Sequence, residues 1–391
     1  MNPLCPVTIE FKTLDDLKEL IDKSHPAGAS HPAGASHPVG ASDSATVIIS
    51  EQFTSDLWGI TENCEKAERR GIPWIRRISP NPTQTDVADA IKALRGAEIS
   101  TVLAIGGGSS IDLAKALSAF YYLFDKKVPS TADITAAIAG KKYIPPCKTV
   151  DIVAVPSTSG TGSEVTKWAT IWDTDKTQKH SIDDASLYAK KALIIPELTM
   201  SLPAKLTLST ALDALCHSSE AFWAKPSTPI VRDIACRAVD IIMENLGSCL
   251  AAPNDLSLRE RLACGSLLAG IAFSQTRTTA CHSISYPLTM RYGVMHGLAC
   301  ALTLDLVSKA NRPAMKNANL LFGVYGRHGG LKSWLDNVCR GITNLSLEGF
   351  GVKKEEIGSI VDAAFTKGRM DNNPVDLTRD QVFVILEQVF K

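Results

Sequence analysis

Residues 101–124 read TVLAIGGGSSIDLAKALSAFYYLF, and they are the clearest indication of the fold class. An apolar run of strand type meets three glycines, Gly106, Gly107 and Gly108, and a segment with helical spacing follows, opened by Ser109. Glycine lets backbone N–H groups approach an anion closely, and a helix N-terminus adds unpaired donors and the positive end of its dipole. We therefore predict a strand, turn and helix able to hold a pyrophosphate, although a tight turn without a ligand is an equal alternative. The spacing is not the G-x-G-x-x-G of the common dinucleotide fold.

Strand-type runs also occupy 45–50 and 151–156, and helical patterns lie between the strands. One of them, LWGITENCEKAERRG (57–71), predicts a single amphipathic helix that ends at Gly71. Strands that alternate with helices predict an α/β domain with a mostly parallel sheet. Ligands of open α/β sheets bind beyond the carboxyl ends of the strands, and two polar loops there favour a dinucleotide over a lone phosphate. The candidate cofactor-binding residues are Ser157, Thr158 and Thr161 in the second of these loops and Glu51 at the end of the strand over 45–50, together with the glycine loop.

Two acidic residues lie close to the predicted cofactor loops. Glu51 can accept hydrogen bonds from the ribose hydroxyls of adenosine, and its charge would repel a 2′-phosphate and favour NAD over NADP; a solvated turn glutamate is the alternative. Asp112 either braces the glycine loop or binds a ligand, unless it only complements the helix dipole.

From residue 203 onward the strand-type runs fade and helical patterns dominate. We predict a dinucleotide-binding α/β domain over 1–203 and an all-α metal-binding domain over 204–391.

Residues 24–42 carry three SHPAGA-type units, with His25, His31 and His37 at a period of six. Small residues, prolines and glycines cannot bury a core, so we predict a mobile insert. A histidine-based metal-binding tract is the alternative.

The predicted helical domain contains four potential metal ligands. Asp213 and His217 are four residues apart and lie on one face of a helix, and His282 and His296 must come from other segments. One carboxylate with three imidazoles suits a borderline cation such as Fe²⁺ or Zn²⁺. Ordinary polar residues on helices are the alternative.

The composition excludes several classes of protein. The chain has 41 lysine and arginine residues and 41 aspartate and glutamate residues. The net charge therefore gives no indication of binding to nucleic acid or to a membrane surface. The ten cysteines form no C-x-x-C pair, and we predict reduced thiols in a cytoplasmic protein. No secretory signal or membrane-spanning apolar run is visible.

Several segments together resemble the iron-containing (group III) alcohol dehydrogenase family over nearly the whole chain outside 24–42. GGGSSIDLAKA (106–116) is similar to its GGGSxxDxAK segment, and PSTSGTGSEVT (156–166) to its PTTxGTGSE loop. The D-x-x-x-H pair and the two later histidines match the family's ligand spacing.

The resemblance implies one Fe²⁺, replaced by Zn²⁺ in some relatives, and NAD(H) or NADP(H). The implied metal ligands are Asp213, His217, His282 and His296. The implied cofactor contacts are Gly106–Ser109 on the pyrophosphate, Asp112 nearby, and Thr158 with the following loop towards the nicotinamide. The implied reaction is hydride transfer between the nicotinamide and an aldehyde whose oxygen the metal polarises.

One position departs from the family pattern. A histidine that relays protons commonly stands four residues after the third ligand, and here that residue is Tyr286. A phenol with an unperturbed pKa of about 10 is a poor base at neutral pH, so we expect Tyr286 to donate a proton or orient water.

HSISYPLT (282–289) resembles a branch of the family that reduces phosphonoacetaldehyde to 2-hydroxyethylphosphonate. A phosphonate substrate needs a cationic contact, and a guanidinium group suits it well. The candidates are Arg291, Arg277 and Lys179; a surface ion pair is the alternative for each.

Two other functions stay open. A dehydroquinate-synthase-like lyase shares the GGG turn and uses NAD transiently, although its ligands would be one glutamate and two histidines. A non-catalytic nucleotide- or metal-binding protein is the second alternative. We expect a small aldehyde or alcohol as the partner, with a homodimer left open.

Overall fold

The computed structural model describes residues 4–26, 45–124, 127–144, 148–173, 179–365 and 368–391. These residues form two compact units. The α/β unit contains Cys5–Ser157 and Ser163–Ser201, and the helical unit contains Leu4, Thr158–Gly162 and Leu202–Lys391. The predicted fold class, a parallel α/β domain followed by an all-α domain, is confirmed.

A parallel sheet forms the centre of the α/β unit. Its strands are β1 (Thr8–Phe11), β2 (Thr46–Ile49), β3 (Trp74–Ile75), β4 (Thr101–Gly106), β5 (Asp151–Pro156) and β8 (Lys191–Ile194). They lie in the order β1-β8-β5-β4-β2-β3. The register pairs Ile49 with Ala104 and Ala104 with Ala154, so β2, β4 and β5 end at the same edge. A separate antiparallel pair joins β6 (Trp168–Trp172) and β7 (Lys179–Asp183).

The helices of this unit are α1 (Leu14–Asp22), α2 (Gln52–Leu57), α3 (Thr61–Arg69), α4 (Gln84–Ala93), α5 (Gly108–Phe120) and α6 (Thr131–Ala139). Thr83 begins α4 with a reciprocal capping box to Asp86, as the polar start of that segment indicates. The single helix predicted over 57–71 is wrong at its start. The chain leaves α2 through Gly59, whose φ of 66° belongs to the left-handed region, and α3 begins only at Thr61.

The helical unit is built around α7 (Ala204–Trp223), which is buried along most of its length. A helix buried on all sides must be covered by neighbours, and α7 packs against α8, α9 and α11. The other helices are α8 (Pro229–Ala251), α9 (Leu256–Thr276), α10 (Ala280–Tyr292), α11 (His296–Asn311), α12 (Ala318–Arg327), α13 (Leu331–Cys339), α14 (Ile357–Ala363) and α15 (Arg379–Gln388). Within the described ranges, none of the helices is both long and apolar enough to cross a lipid bilayer.

Most of the predicted mobile insert at 24–42, including His31 and His37, lies outside the described residues. The described chain reaches His25 and Pro26 and resumes at Ala45. These flanks meet, because the N–H group of Thr46 donates to the carbonyl of His25 at 3.0 Å.

Candidate metal centre and cofactor loops

Three ionisable side chains lie along one face of α7. Asp213 is followed by His217 four residues later and by Glu220 three residues after that, which is the spacing of one helical face. Asp213 and His217 are only 4% and 6% exposed, and Glu220 is fully enclosed. Buried charged groups need partners of opposite charge or a metal ion, so other side chains or a cation must neutralise this face of α7.

Two other helices bring the remaining imidazoles to Asp213. His282 lies in the first turn of α10, and His296 is the first residue of α11. The chain reverses between them through Gly293, which ends α10 in the left-handed conformation. The Nε2 atoms lie 3.4 Å (His282), 3.8 Å (His217) and 3.9 Å (His296) from Asp213 Oδ1. Each of the three sequence-predicted imidazoles therefore lies beside Asp213 Oδ1.

Gly297 lets α11 approach α7 closely. A Cβ atom at this position would lie 1.8 Å from the carbonyl oxygen of Ser209 and 2.9 Å from the backbone nitrogen of Asp213. Any larger residue would therefore push the first turn of α11, which carries His296, away from the helix that carries Asp213.

Two hydrogen bonds orient the imidazole rings. His217 Nδ1 lies 3.3 Å from the carbonyl oxygen of Gly160, and its ring stacks on Phe273 at 4.0 Å between centroids. His282 Nδ1 bonds to Glu220 Oε2. We assign the proton to Nδ1 in both rings, since both partners are acceptors, which leaves each Nε2 lone pair free towards Asp213.

The donor set fits a divalent cation. Among the described residues, Asp213 Oδ1 and His282 Nε2 are buried and lack a hydrogen-bond partner of acceptable geometry. Tetrahedral ligation at usual Zn–N and Zn–O bond lengths puts ligand atoms about 3.4 Å apart, close to the separations seen here. Two orphaned, enclosed electron-pair donors that face each other are what a bound cation would satisfy.

Cys300 and Glu220 were missed by the sequence analysis. Cys300 joins Asp213, His282 and His296 in a group whose ligand atoms all lie within 4.8 Å of one another, and His217 is outside this group. The available signal was spacing, because Cys300 follows His296 by four residues and Glu220 follows His217 by three.

The electrostatics of the cluster follow from burial and from the imidazoles. Burial lowers the pKa of His217 to about 4, so this ring is neutral near pH 7. Burial opposes ionisation of Asp213, but the three surrounding imidazoles keep its pKa below the ordinary value. Burial also opposes ionisation of Cys300, and His282 and His296 nevertheless lower its pKa to about 7. Burial opposes protonation of His282 and His296, but Cys300 and the neighbouring carboxylates raise the pKa of both rings. A cation bound by these rings would displace their Nε2 protons, because an ionised carboxylate and a neutral imidazole are the forms that bind a metal ion.

Tyr286, the predicted proton donor, lies beside the cluster on α10. Its ring is parallel to that of His296, with 6.1 Å between centroids and an interplanar angle of 3°. This position is consistent with the role predicted for Tyr286, which stays a prediction.

The three substrate candidates lie on different elements. Arg291, at the end of α10, donates from Nη1 to the carbonyl oxygen and hydroxyl of Ser359 at 3.2 and 3.3 Å. Arg277 ends α9 with a φ of 63°. Lys179 begins β7 in the α/β unit. Their substrate roles stay predictions.

The glycine loop in the α/β unit has the predicted form. β4 ends at Gly106, and Gly107 precedes α5 without a side-chain cap. A Cβ atom on Gly106 would lie 2.2 Å from Ser110 Oγ, and its φ of 155° is a second reason for glycine. Ser109 Oγ accepts a hydrogen bond from the backbone of Asn81 at 3.1 Å, so this hydroxyl also holds the preceding turn. The first N–H groups of α5 are therefore uncapped by side chains and can bind an anion.

Asp112 and Lys115 join α5 to residues 163–170 of the α/β unit. Asp112 accepts hydrogen bonds from Ser163 Oγ at 2.7 Å and from the backbone of Thr170 at 2.9 Å. The fully buried Lys115 ammonium donates to carbonyl and hydroxyl oxygens of Ser163, Thr166 and Trp168. These contacts hold α5 against Ser163 and β6 and not against the glycine loop, so the roles predicted for Asp112 in that loop and in ligand binding stay predictions.

The second predicted loop begins after β5. Ser157 donates from its backbone to Gly106 at 2.9 Å within the α/β unit. Thr158–Gly162, which carries Thr158 and Thr161, groups with the helical unit. A Cβ atom on Gly160 would lie 2.6 Å from Thr210 on α7, so this loop packs directly on the helix that carries Asp213 and His217.

Glu51 lies at the end of β2 that neighbours the glycine loop. It immediately precedes α2, and its carboxylate makes no capping hydrogen bond to that helix. Because β2 and β4 are adjacent and parallel, Glu51 and Gly106 lie at the same sheet edge. The predicted role of Glu51 in ribose binding stays a prediction.

Two family descriptions match the chain. Residues 34–196 match the iron-containing alcohol dehydrogenases, and residues 207–390 match the C-terminal part of the Fe-containing alcohol dehydrogenase family. Both describe dehydrogenases, so the lyase alternative is not favoured.

Among curated relatives, phosphonoacetaldehyde reductase of Streptomyces viridochromogenes is 34% identical over 258 residues, which span 62% of this chain and 64% of that protein. This chain thus aligns with less than two thirds of that relative. The NAD-dependent methanol dehydrogenase of Bacillus methanolicus is 30% identical over 68% of each chain. The NADPH-dependent butanol dehydrogenase of Clostridium saccharobutylicum is 28% identical over 82% of this chain and 84% of its own.

Solved structures share the fold over almost the whole length. A sulfoacetaldehyde reductase from Bifidobacterium kashiwanohense, in complex with NAD+, has a TM-score of 0.82 at 26% identity and covers 98% of this chain and 97% of its own. An iron-containing alcohol dehydrogenase from Thermotoga maritima has a TM-score of 0.78 at 24% identity, covering 99% of this chain and 98% of its own.

Proposed function

Because this chain belongs to the iron-containing alcohol dehydrogenase family, we propose that it reduces a small aldehyde with NADH or NADPH at a divalent metal centre. The observation that supports this most directly is the meeting of three imidazole Nε2 atoms around Asp213 Oδ1 at 3.4 to 3.9 Å. In the reaction, R–CHO, NADH and a proton give R–CH₂OH and NAD+.

Four side chains of the helical unit would hold the cation: Asp213, His217, His282 and His296. A cation bound there, Fe²⁺ or Zn²⁺, supplies Lewis-acid polarisation of a carbonyl oxygen. Gly160 and Glu220 hold two of the imidazoles at Nδ1, so that Nε2 of each ring faces Asp213. Phe273 covers the ring of His217 and excludes water from that side.

The nicotinamide cofactor supplies the hydride. The uncapped N–H groups at the start of α5 would bind its pyrophosphate, and Glu51 would accept hydrogen bonds from the adenosine ribose. A carboxylate at that place repels a 2′-phosphate, so we expect NADH to be preferred. Thr158 and Thr161 lie in the loop that packs on α7, where they would contact the nicotinamide half.

The proton that completes the alcohol would come from the hydroxyl of Tyr286. Its ring is parallel to that of His296, one of the side chains that would hold the cation, with 6.1 Å between centroids. A phenol suits proton donation at neutral pH better than proton abstraction.

For the substrate, we propose a two-carbon aldehyde with an anionic terminal group, and phosphonoacetaldehyde in particular. The support is the similarity to relatives named for phosphonoacetaldehyde and sulfoacetaldehyde reduction. Arg291, Arg277 and Lys179 are the cationic candidates for the anionic group.

The test is steady-state reduction of phosphonoacetaldehyde, sulfoacetaldehyde, acetaldehyde and butyraldehyde by the metal-loaded protein, with NADH and NADPH in parallel. We expect the highest kcat/KM for an anionic aldehyde with NADH. An equal kcat/KM for acetaldehyde would refute the proposal of an anionic substrate, but it would leave the proposal of an aldehyde reductase intact. An Asp213→Asn variant should lose bound metal and activity together, and aldehyde reduction at the wild-type rate by metal-free protein would contradict the metal centre.

A cytoplasmic location and a homodimer belong to the same proposal. The described cysteines are free, which suits a reducing compartment. Cell fractionation and sedimentation velocity test the two statements separately.

A further inference from the structure

Cys300 lies among the candidate metal ligands. It follows His296 by four residues on α11, and its Sγ atom is 3.8 Å from His296 Nε2. Together with the ligand atoms of Asp213 and His282, these atoms form a group in which no separation exceeds 4.8 Å. The cysteine side chain is fully buried. Sulfur therefore faces the same small space as the three other donors.

A second observation points to an occupant of that space. Asp213 Oδ1 and His282 Nε2 are buried and have no hydrogen-bond partner among the described residues, although their side chains are almost completely enclosed. Both are electron-pair donors, given that His282 is protonated on Nδ1. A cation close enough to satisfy both would also be within reach of Sγ.

A neutral thiol is the simpler role for a buried cysteine, because cysteine often acts as a small apolar side chain with a weak S–H donor. The acceptor that the geometry offers to this S–H group is His296 Nε2. That lone pair is no longer available once His296 binds a cation through Nε2. A neutral thiol would thus lose its hydrogen bond on metal binding, whereas a thiolate would gain a bond.

We propose that Cys300 is an additional ligand of the metal centre and binds the cation as a thiolate. This inference rests on the metal centre of the proposed function. On binding, the S–H bond breaks, sulfur keeps the electron pair and shares it with the cation, and the proton passes to solvent. A donor set that includes a thiolate is softer than one carboxylate with three imidazoles, so this centre should favour Zn²⁺ over Fe²⁺.

The experiment uses cobalt as a spectroscopic probe of the full-length protein. Metal-free protein is loaded with Co²⁺, and absorption is recorded for the wild type, Cys300→Ala, Cys300→Ser and a control, Cys264→Ala. Cys264 lies on α9 and is not part of the cluster. Ligand-field bands in the visible range report that cobalt is bound, and a near-ultraviolet charge-transfer band reports a thiolate bond.

The proposal expects the charge-transfer band in the wild type and in Cys264→Ala, and its loss in both Cys300 variants while the ligand-field bands persist. Bound cobalt without that band in the wild type would overturn the inference and leave the proposed function intact. A wild-type protein that binds no cobalt would overturn the metal centre and the inference together. The two replacements guard against misfolding, since serine keeps the approximate volume of cysteine and alanine favours the helix.

Competition titrations give a second readout that does not depend on activity. Cys300→Ala should weaken Zn²⁺ binding by about 10-fold or more and weaken Fe²⁺ binding less. Equal weakening for the two metals, or none, would contradict the claim that sulfur sets the metal preference.

Discussion

The Glu220→Gln substitution exchanges one carboxylate oxygen for an NH₂ group and almost preserves the shape of the side chain. Glu220 Oε2 accepts from His282 Nδ1, and Oε1 accepts from Thr279 Oγ1 at 2.8 Å and from the backbone of Cys281 at 2.7 Å. All these partners donate. The NH₂ group of glutamine must therefore face a donor in either of its two orientations.

Each orientation has a calculable consequence. If the NH₂ group faces His282, the ring must accept at Nδ1 and carry its proton on Nε2, which then cannot bind a cation. If it faces Cys281, a buried backbone N–H group loses its acceptor, at about 1–3 kcal/mol. Loss of an outer partner of a metal-binding histidine typically weakens metal affinity about 10–100-fold, or about 1.4–2.7 kcal/mol. We expect a rise of that size in the Kd for Zn²⁺.

The assay is competition between the protein and a chromophoric chelator at fixed pH and ionic strength. Glu260→Gln is the matched control, because this glutamate is exposed on α9 and should leave the Kd unchanged. Far-ultraviolet circular dichroism of the metal-free variants checks that the helices remain. A Kd for Glu220→Gln within about threefold of the wild type would refute the view that Glu220 orients His282.

Three further substitutions give distinct readouts. Gly297→Ala should displace α11, because the new Cβ atom would lie 1.8 Å from the carbonyl oxygen of Ser209. The amount of metal that the protein retains after gel filtration should then fall sharply, and full retention would contradict this prediction. Lys115→Met should destabilise the α/β unit by about 3–5 kcal/mol in urea unfolding, since it leaves buried acceptors unpaired, and a loss under about 1 kcal/mol would refute it. Burial raises the pKa of Glu164 from 4.5 to about 7, so the native state binds more protons than the unfolded state between those values and wild-type stability should fall as pH rises through them. Glu164→Gln should remove up to about 3 kcal/mol of that dependence in unfolding series at pH 4.5 and 7.5, and identical profiles would exclude the effect.

Features encoded over short distances in the sequence could be predicted. The apolar run that ends in Gly106 defines β4, the glycine turn and α5, because strand, turn and helix preferences agree within one stretch. The four-residue spacing of Asp213 and His217 likewise fixes their common face, since one helical turn determines it.

Features that depend on tertiary packing could not be predicted. Cys300 enters the cluster only because α11 begins at His296 and is drawn against α7 at Gly297. The helix predicted over 57–71 failed at Gly59, where one left-handed residue overrides a favourable apolar pattern. The grouping of Thr158–Gly162 with the helices depends on close contacts with α7, which no spacing within the loop reveals.

The carbonyl of Gly160 ties the loop expected to meet the coenzyme to His217, one of the expected metal ligands. Binding at either place would restrict the same short piece of backbone, so the two affinities should be linked by one factor that acts equally in both directions. Saturation with coenzyme should then slow metal loss during dialysis, and coenzyme starvation should be the condition under which the protein sheds its metal fastest.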